Sequence, residues 1–243
     1  MAQPLSPEIS VLESLDALSH EAARVVLLSA RESVLCTGRC TIALSGGSTP
    51  KRLYELLASD EYRGAMPWDE IEWYWSDERC VPPDDPRSNF RLAHEAMLLR
   101  AGAAPTQVHR IAGEKAPPRA AQAYESLVRD RLPDLAFDLV LLGVGEDGHT
   151  ASLFPGDPAL EERERLVIDV RAPAGAEVAA RVTMTLPLIN RARSVLVLAA
   201  GASKRRIVHA VRSDPAGAAG DFPVARVRPV GHLTWLVDAA AAG

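Results

Sequence analysis

Three scarcities in the 243-residue sequence narrow the classes of protein to consider. Lysine occurs only at Lys51, Lys115 and Lys204, whereas Lys and Arg together number 27. Positive charge is not in excess, because 32 acidic residues leave a net charge of -5, which argues against a nucleic-acid-binding surface. No apolar run approaches the roughly 18 residues that a membrane span needs. We therefore expect no nucleic-acid partner and no membrane association, although an acidic protein can still hold a locally positive pocket.

Cysteine is also scarce. Cys36, Cys40 and Cys80 are an odd number without the spacing of a disulfide framework, which favours reduced thiols in the cytoplasm. Cys36 and Cys40 are close in sequence, but no convincing third and fourth ligand accompanies them, so no metal site is expected. The first ten residues, MAQPLSPEIS, lack the basic region and apolar stretch of a secretion signal. A cytoplasmic location is the expectation that follows.

Predicted helices and strands alternate along the chain. The first clear element is a helix that begins near Ser14 and ends at Gly38. Further helices are predicted at 51–59, 90–101, 118–132 and 203–213, and a loop at 214–223. Strands are predicted at 40–44, 71–76, 108–111, 137–145, 165–170, 182–185, 194–201 and 233–238. Several of these strands are apolar throughout, which is typical of a parallel sheet covered on both faces.

The alternation predicts an α/β fold. We expect a three-layer α/β/α sandwich around a mostly parallel, Rossmann-like sheet. Because no repeat and no long linker divides the sequence, we expect a single domain over residues 1–243. Ligands of such sheets bind beyond the carboxyl ends of the strands, so the loops that follow strands are the candidate site.

The loop after the first strand, SGGSTP, has the composition of a phosphate cradle. Its glycines let backbone N–H groups approach an oxyanion, and the following helix adds positive potential. Ser48 or Thr49 is predicted to cap that helix, with Pro50 at its first position. A well-capped turn without a ligand is the alternative, and the loop is not a Walker A motif.

Charged residues follow two other strands. Asp77, Glu78 and Arg79 end an aromatic strand, and this pattern alone favours a solvated strand end over the rim of a pocket. Lys204 follows Gly201 in the first turn of a predicted helix, where a cation is electrostatically unfavourable. A bound anion would remove that penalty, so the position favours an anion site.

The stretch LGVGEDGHTASLFPG, residues 142–156, crowds two acids and a histidine after a buried strand. His149 can exchange protons near neutral pH, and Asp147 is near enough to orient its ring, whereas Glu146 is interpreted as solvated. A metal ligand and a structural histidine that caps a helix are the alternatives. The segment matches a dinucleotide-binding motif on glycines alone, and no nucleophile elbow is present. Together the four loops indicate proton-transfer chemistry on a phosphorylated small molecule.

Five segments resemble the motif set of the 6-phosphogluconolactonases. They are LSGGSTP, WSDERCVPPDDPRSN, GVGEDGHTASLFPG, RVTMT and GASKRRIV, and the resemblance runs in order from about Leu44 to Lys204 and weakly on to HLTWLVD. It implies a fold related to the sugar-phosphate deaminases/isomerases. It also implies hydrolysis of 6-phospho-D-glucono-1,5-lactone to 6-phospho-D-gluconate in the oxidative pentose phosphate pathway, in the cytosol and without metal or cofactor.

The resemblance also implies roles for individual residues. His149 activates the attacking water, Asp147 supports it, and Arg79 lies over the substrate. The positions assigned to substrate or phosphate binding are Ser45, Gly46, Gly47, Ser48, Thr49, Asp77, Asn89, Arg181 and Lys204. The expected partner is a phosphorylated sugar lactone, bound by a monomer or a weak homodimer.

The alternative enzyme is a glucosamine-6-phosphate deaminase/isomerase. In that class the histidine segment typically reads Gly-His-Ile-Ala-Phe-Asn-Glu-Pro, whereas here it reads GHTASLFPG. The missing Asn-Glu pair removes a carboxylate that deamination is expected to use, so the sequence favours the lactonase. A sugar-phosphate sensor without catalysis is a further alternative, and the presence of His149 argues against it.

Overall fold

The computed structural model describes residues 7–132 and 134–243. Residues 1–6 of MAQPLSPEIS, the stretch expected to hold no secretion signal, therefore lie outside the described residues. The long N-terminal helix follows its sequence signals. Its first turn is capped by Ser14, whose hydroxyl accepts a hydrogen bond from the Ala17 N–H at 3.1 Å. It ends at Gly38, where φ is 78° and the N–H bonds the Val34 carbonyl.

Nine strands and nine helices are present in the described part of the chain. The strands are β1 (Glu8–Leu12), β2 (Cys40–Leu44), β3 (Ile71–Trp75), β4 (Asp77–Arg79), β5 (Leu139–Gly143), β6 (Val167–Arg171), β7 (Ala180–Met184), β8 (Ser194–Ala199) and β9 (His232–Asp238). The α-helices are α1 (Leu15–Thr37), α2 (Ser48–Leu57), α3 (Asn89–Ala93), α4 (Leu99–Ala101), α5 (Pro117–Arg131), α6 (Leu186–Ile189), α7 (Arg205–Ser213), α8 (Pro215–Asp221) and α9 (Ala239–Ala242).

Six parallel strands form the central sheet, in the order β1-β9-β8-β5-β2-β3. Helices flank this sheet, and every residue of β2 is buried, as a strand covered on both faces requires. The predicted α/β fold with a mostly parallel sheet is therefore confirmed. No helix among the residues described is long and apolar enough to cross a membrane.

Three strands form a second, antiparallel sheet, in the order β4-β7-β6. Two of them, β6 and β7, correspond to predicted strands, and β4 was not predicted. The strands predicted at 165–170 and 182–185 belong here rather than to the central sheet. Backbone hydrogen bonds connect the two sheets, since Ser76 donates to the Leu44 carbonyl and accepts from Met184, both at 2.8 Å. The small sheet therefore stands at the carboxyl end of β2.

Other predicted boundaries differ from the structure. Residues 108–111 contribute only one bridge, between Val108 and Trp73, rather than a strand. Residues 214–223 are not a loop, because Asp214 accepts a hydrogen bond from the Gly217 N–H at 3.0 Å and starts α8. The helix predicted at 90–101 is interrupted by a π-helical turn at His94–Leu98. Strand β1 was not predicted, since it is a half-exposed edge strand.

Candidate active site

One open pocket of about 340 Å³ gathers the loops that follow β2, β5 and β8, together with β4 and β7. All of the residues predicted for the site line it except Asp147. They are Ser45, Gly46, Gly47, Ser48, Thr49, Asp77, Arg79, Asn89, His149, Arg181 and Lys204. The pocket thus brings together segments that are up to 160 residues apart in the sequence, from about residue 45 to residue 204.

His149 and Asp147 form a tight pair at the pocket wall. Asp147 Oδ1 lies 2.6 Å from His149 Nδ1 and also accepts a hydrogen bond from the His149 backbone N–H at 3.0 Å. Burial raises the pKa of Asp147, but the hydrogen bonds and charge of His149 outweigh it and hold that pKa below its usual value. Asp147 therefore stays ionised and fixes the orientation of the imidazole, although it does not itself line the pocket.

Glycines let the histidine loop, residues 143–150, fold tightly around the imidazole. A Cβ at Gly145 would overlap the His149 ring, and one at Gly148 (φ 84°) would overlap the Phe222 ring. The Val224 N–H also donates to the Gly148 carbonyl at 3.0 Å. Phe222 and Val224 therefore brace the loop from the segment after α8, a contact that the sequence did not indicate.

The chain just after His149 is fixed by two buried hydroxyl groups. Thr150 Oγ1 donates to the Gly143 carbonyl at 2.9 Å, and Ser152 Oγ donates to Asp77 Oδ2 at 2.6 Å. Between them Ala151 lines the pocket with φ at 48°, a left-handed conformation that is rare for alanine. Strain of this kind is found mostly at functional sites.

The glycine loop, residues 45–49, differs in detail from its prediction. Gly47, with φ at 110°, is the N-cap of α2, and no side chain caps this helix. The predicted cap by Ser48 or Thr49 is therefore wrong, and Pro50 lies at the third helical position rather than the first. Because both hydroxyl side chains line the pocket instead of capping the helix, they are available to a ligand.

Gly46 lies directly against the side chain of Asn89. A Cβ at Gly46 would overlap the Asn89 amide, so the close approach requires glycine at this position. The Asn89 amide is itself oriented, since its Nδ2 donates to the carbonyl and the carboxylate of Asp77 at 3.0 and 3.1 Å. Asp77 thus connects the glycine loop, through Asn89, to Ser152 beyond the histidine loop.

Three cations face the pocket. Arg79 and Arg181 lie directly opposite each other in the β4–β7 pairing, and Lys204 ends the short 3-10 turn (Ala202–Lys204) that leads into α7. Burial and the neighbouring Arg79 charge lower the pKa of Arg181. Within the described residues, none of the three forms an ion pair with a carboxylate. Like charges paired in this way favour a bound anion.

The prediction that the DER segment is a solvated strand end is wrong for its acids. Asp77 and Glu78 are only 5% and 2% exposed, because the chain beyond the end of β3 continues into β4, which is paired with β7. Glu146 is exposed, as expected, yet it lines the pocket. Sequence reasoning missed Ser152, Ala151 and Ser203. Of these, the first two lie inside the motif around His149, and Ser203 adjoins Lys204.

Comparisons with known proteins find relatives in sequence and in structure. A family model described as glucosamine-6-phosphate isomerases/6-phosphogluconolactonase matches residues 13–235. The 6-phosphogluconolactonase of Synechocystis sp. is 40% identical over 248 residues, covering 98% of this chain and 98% of the relative. The solved structure of 6-phosphogluconolactonase from Trypanosoma brucei has a TM-score of 0.82 at 30% identity, and the match covers 97% of each chain. A monomeric glucosamine-6-phosphate deaminase has a TM-score of 0.83 at 22% identity, a likeness of fold alone, and covers 97% of this chain and 98% of its own.

Proposed function

The chain belongs to the glucosamine-6-phosphate isomerase/6-phosphogluconolactonase family, and we propose that it hydrolyses 6-phospho-D-glucono-1,5-lactone to 6-phospho-D-gluconate in the oxidative pentose phosphate pathway. One observation carries the proposal: a histidine oriented by a carboxylate shares a pocket with three cations and a glycine loop. Such a pocket supplies a base that can activate water for attack on the lactone carbonyl. It also supplies positive charge for a phosphate. No step of this reaction calls for a metal or an organic cofactor.

His149 is the proposed general base. A carboxylate can only accept hydrogen bonds, so the contact with Asp147 places the imidazole proton on Nδ1 and leaves Nε2 as a proton acceptor. Nε2 takes a proton from water while the water oxygen forms a bond to C1 of the lactone. Asp147 stabilises the imidazolium that results, because it remains ionised beside the ring.

Ring opening completes the reaction. The tetrahedral intermediate carries negative charge on the former carbonyl oxygen, and Arg79 is the proposed partner of that charge. The bond between C1 and the ring oxygen then breaks, and the ring oxygen takes the proton from Nε2. The transfer from Nε2 has already returned His149 to its neutral form, and the new carboxylic acid at C1 then loses its proton to water.

The phosphate is assigned to the start of α2 and to two of the cations, Arg181 and Lys204. Ser48 and Thr49 lie at the start of α2, where the helix dipole is positive, and Lys204 faces the same space with Arg181. Binding at the phosphate would hold the lactone carbonyl against His149, so that part of the binding energy lowers the barrier to the reaction.

Replacement of the base tests the proposal. In an assay of 6-phosphogluconolactone corrected for spontaneous hydrolysis, we expect His149→Ala to lower kcat by about 10²- to 10⁴-fold. His209→Ala is the matched control, because this exposed histidine on α7 lies outside the pocket. A wild-type protein that does not accelerate lactone hydrolysis would refute the function. Near-normal activity in His149→Ala would refute the role of the histidine alone.

A second substrate separates the lactonase from a deaminase/isomerase. The fold does not decide between them, since solved structures of both classes match this chain, with TM-scores of 0.82 and 0.83. The same preparation is therefore assayed for ammonia release from glucosamine 6-phosphate. We expect none above background, because Leu153 and Phe154 stand where the Asn-Glu pair of that class would fall.

A further inference from the structure

A buried carboxylate that the proposed reaction does not use lies behind the pocket wall. Side chains alternate in direction along β4, so Asp77 and Arg79 face the pocket while Glu78 points the other way, into the protein. Glu78 is 2% exposed. Burial raises the pKa of this carboxyl, against the opposing effect of its hydrogen bonds. Burial of a carboxylate costs free energy, so the charged group needs hydrogen-bond donors that offset this cost.

Glu78 accepts four hydrogen bonds, two at each oxygen. Oε1 accepts from the backbone N–H groups of Arg79 and Asn89, both at 2.7 Å. Oε2 accepts from the Phe90 N–H at 2.8 Å and from the Ser88 hydroxyl at 2.9 Å. All four contacts are donations to a carboxylate, which strengthens each of them relative to a neutral hydrogen bond. Glu78 thus ties β4 to the segment that starts α3.

The segment that Glu78 holds also orients the side chain of Arg79. Arg79 Nη1 donates to the Arg87 carbonyl at 2.6 Å. Arg87 is in turn fixed by Asp85, which accepts from its Nε and Nη2 at 2.8 and 2.6 Å. The guanidinium therefore depends for its direction on the 85–90 turn, and that turn is anchored from inside by Glu78.

We infer that Glu78 is a positioning residue for Arg79. It does not touch the substrate, and it acts by holding the backbone of Arg79 and the 85–90 turn in one fixed relation. The inference rests on the proposed lactonase function for its kinetic consequence. Its structural consequence, the placement of the Arg79 guanidinium, is independent of the substrate.

Glutamine cannot replace the carboxylate in this environment. Its amide nitrogen at the Oε1 position would face the N–H groups of Arg79 and Asn89, and at the Oε2 position it would face the N–H of Phe90. Either orientation sets one donor against another and leaves at least one buried N–H without a partner. Glu78→Gln therefore loosens the turn while it changes the size of the side chain very little.

Kinetics of Glu78→Gln test the inference beside a matched variant. Glu125 is also a buried carboxylate that accepts a backbone N–H and two arginines, but it lies outside the pocket. We expect Glu78→Gln to lower kcat by about 10- to 100-fold, with KM for the phosphorylated lactone changed by less than about threefold, because Glu78 makes no hydrogen bond to the residues proposed for the phosphate. Glu125→Gln should lower the Tm and leave kcat at the wild-type value.

A milder variant and a crystal structure make the test decisive. Ser88→Ala removes one of the four donors, so we expect a fall in kcat of about threefold in a protein that still folds. In crystals of Glu78→Gln the Arg79 Nη1 contact with the Arg87 carbonyl should be lost, whereas Glu125→Gln should keep it. Wild-type kcat in both Glu78→Gln and Ser88→Ala, or an unmoved Arg79 in Glu78→Gln, would overturn the inference. If the wild type does not hydrolyse the lactone, the proposed function is wrong, and the position of Arg79 still decides this inference.

Discussion

Single side chains set the protonation state of the site, and the contact between Asp147 and His149 does so most directly. Its consequence for stability has a definite sign. The pKa of Asp147 is lower in the folded protein than its usual value, so the ionised carboxylate contributes stability above the unfolded pKa. That contribution is lost as the pH falls through the lowered folded pKa, from about pH 4 downward.

Thermal unfolding of Asp147→Asn checks this linkage. At pH 6 we expect the wild type to have a higher Tm than Asp147→Asn, and we expect the difference to shrink as the pH falls below about 4, because the wild-type carboxylate then takes up its proton. Glu146→Gln is the control. Glu146 is the exposed acid next to Asp147, and it makes no hydrogen bond to a side chain in the described structure. A Tm difference for Asp147→Asn that does not change with pH would contradict the prediction.

The residue types in the sequence identified the reactive side chains. They did not identify the conformation and burial of the residues that hold those side chains in place. The two-residue spacing of Asp147 and His149 suggested their contact, which the structure contains. Nothing in the identity of Ala151 indicates a φ of 48°, because alanine rarely adopts it and the surrounding hydrogen bonds impose it. The buried positions of Asp77 and Glu78 were also out of reach, since acids next to a strand end are usually solvated.

Among the structural elements, the glycine loop between β2 and α2 has the strictest steric requirement. Gly46→Ala places a methyl group into the Asn89 amide, so the loop or the asparagine must move. Asn89 bonds Asp77, and Asp77 bonds Ser152, so displacement of the amide reaches the histidine side of the pocket. We expect kcat/KM to fall by about 10²-fold, a loss typical of a small misplacement in an active site.

Gly64→Ala is the matched control for Gly46→Ala. Gly64 has no positive φ, and a Cβ there would meet no atom within 4 Å. Lactone hydrolysis and the Tm of this variant should therefore equal those of the wild type. The steric argument fails if Gly46→Ala keeps wild-type kcat/KM, or if Gly64→Ala loses as much activity.

All strands of the central sheet except β1 were predictable, because each of them carries its own apolar pattern. The patterns of β2, β5 and β8 identified the strands whose carboxyl ends form the pocket. Strands β6 (VIDVR) and β7 (ARVTM) mix apolar with charged residues, and this pattern does not encode which sheet they join. Helix α8 was read as a loop because of its glycines, although Asp214 and Pro215 are a good helix start.

At the scale of the whole molecule, the central sheet joins the two ends of the chain. Strand β1 pairs with β9 over five residues, from Glu8 opposite Thr234 to Leu12 opposite Asp238. We propose on this basis that the chain is one folding unit, the single domain expected over 1–243. A division into two units would have to break the sheet between neighbouring parallel strands.

Hydrogen exchange tests whether there is one unit. Amides of β9 and of β2 lie in the interior of the central sheet, on opposite sides of its middle. If the chain unfolds as one unit, their opening free energies should agree to within about 1 kcal/mol and fall with the same dependence on urea. Two groups of amides that open at clearly separate urea concentrations would argue for two units.

The parallel pairing of β1 with β9 also determines where an added tag would emerge. Strand β1 begins at the edge of the sheet opposite the pocket, so a tag placed before Glu8 starts far from the substrate. Strand β9 ends at the pocket edge, where the Asp238 carboxylate accepts the Gly201 N–H at 3.0 Å, in the turn that carries Lys204. Gly243 shares a surface cleft with Ser203, which also lines the pocket. Affinity handles and immobilisation linkers on this protein therefore belong at its amino end.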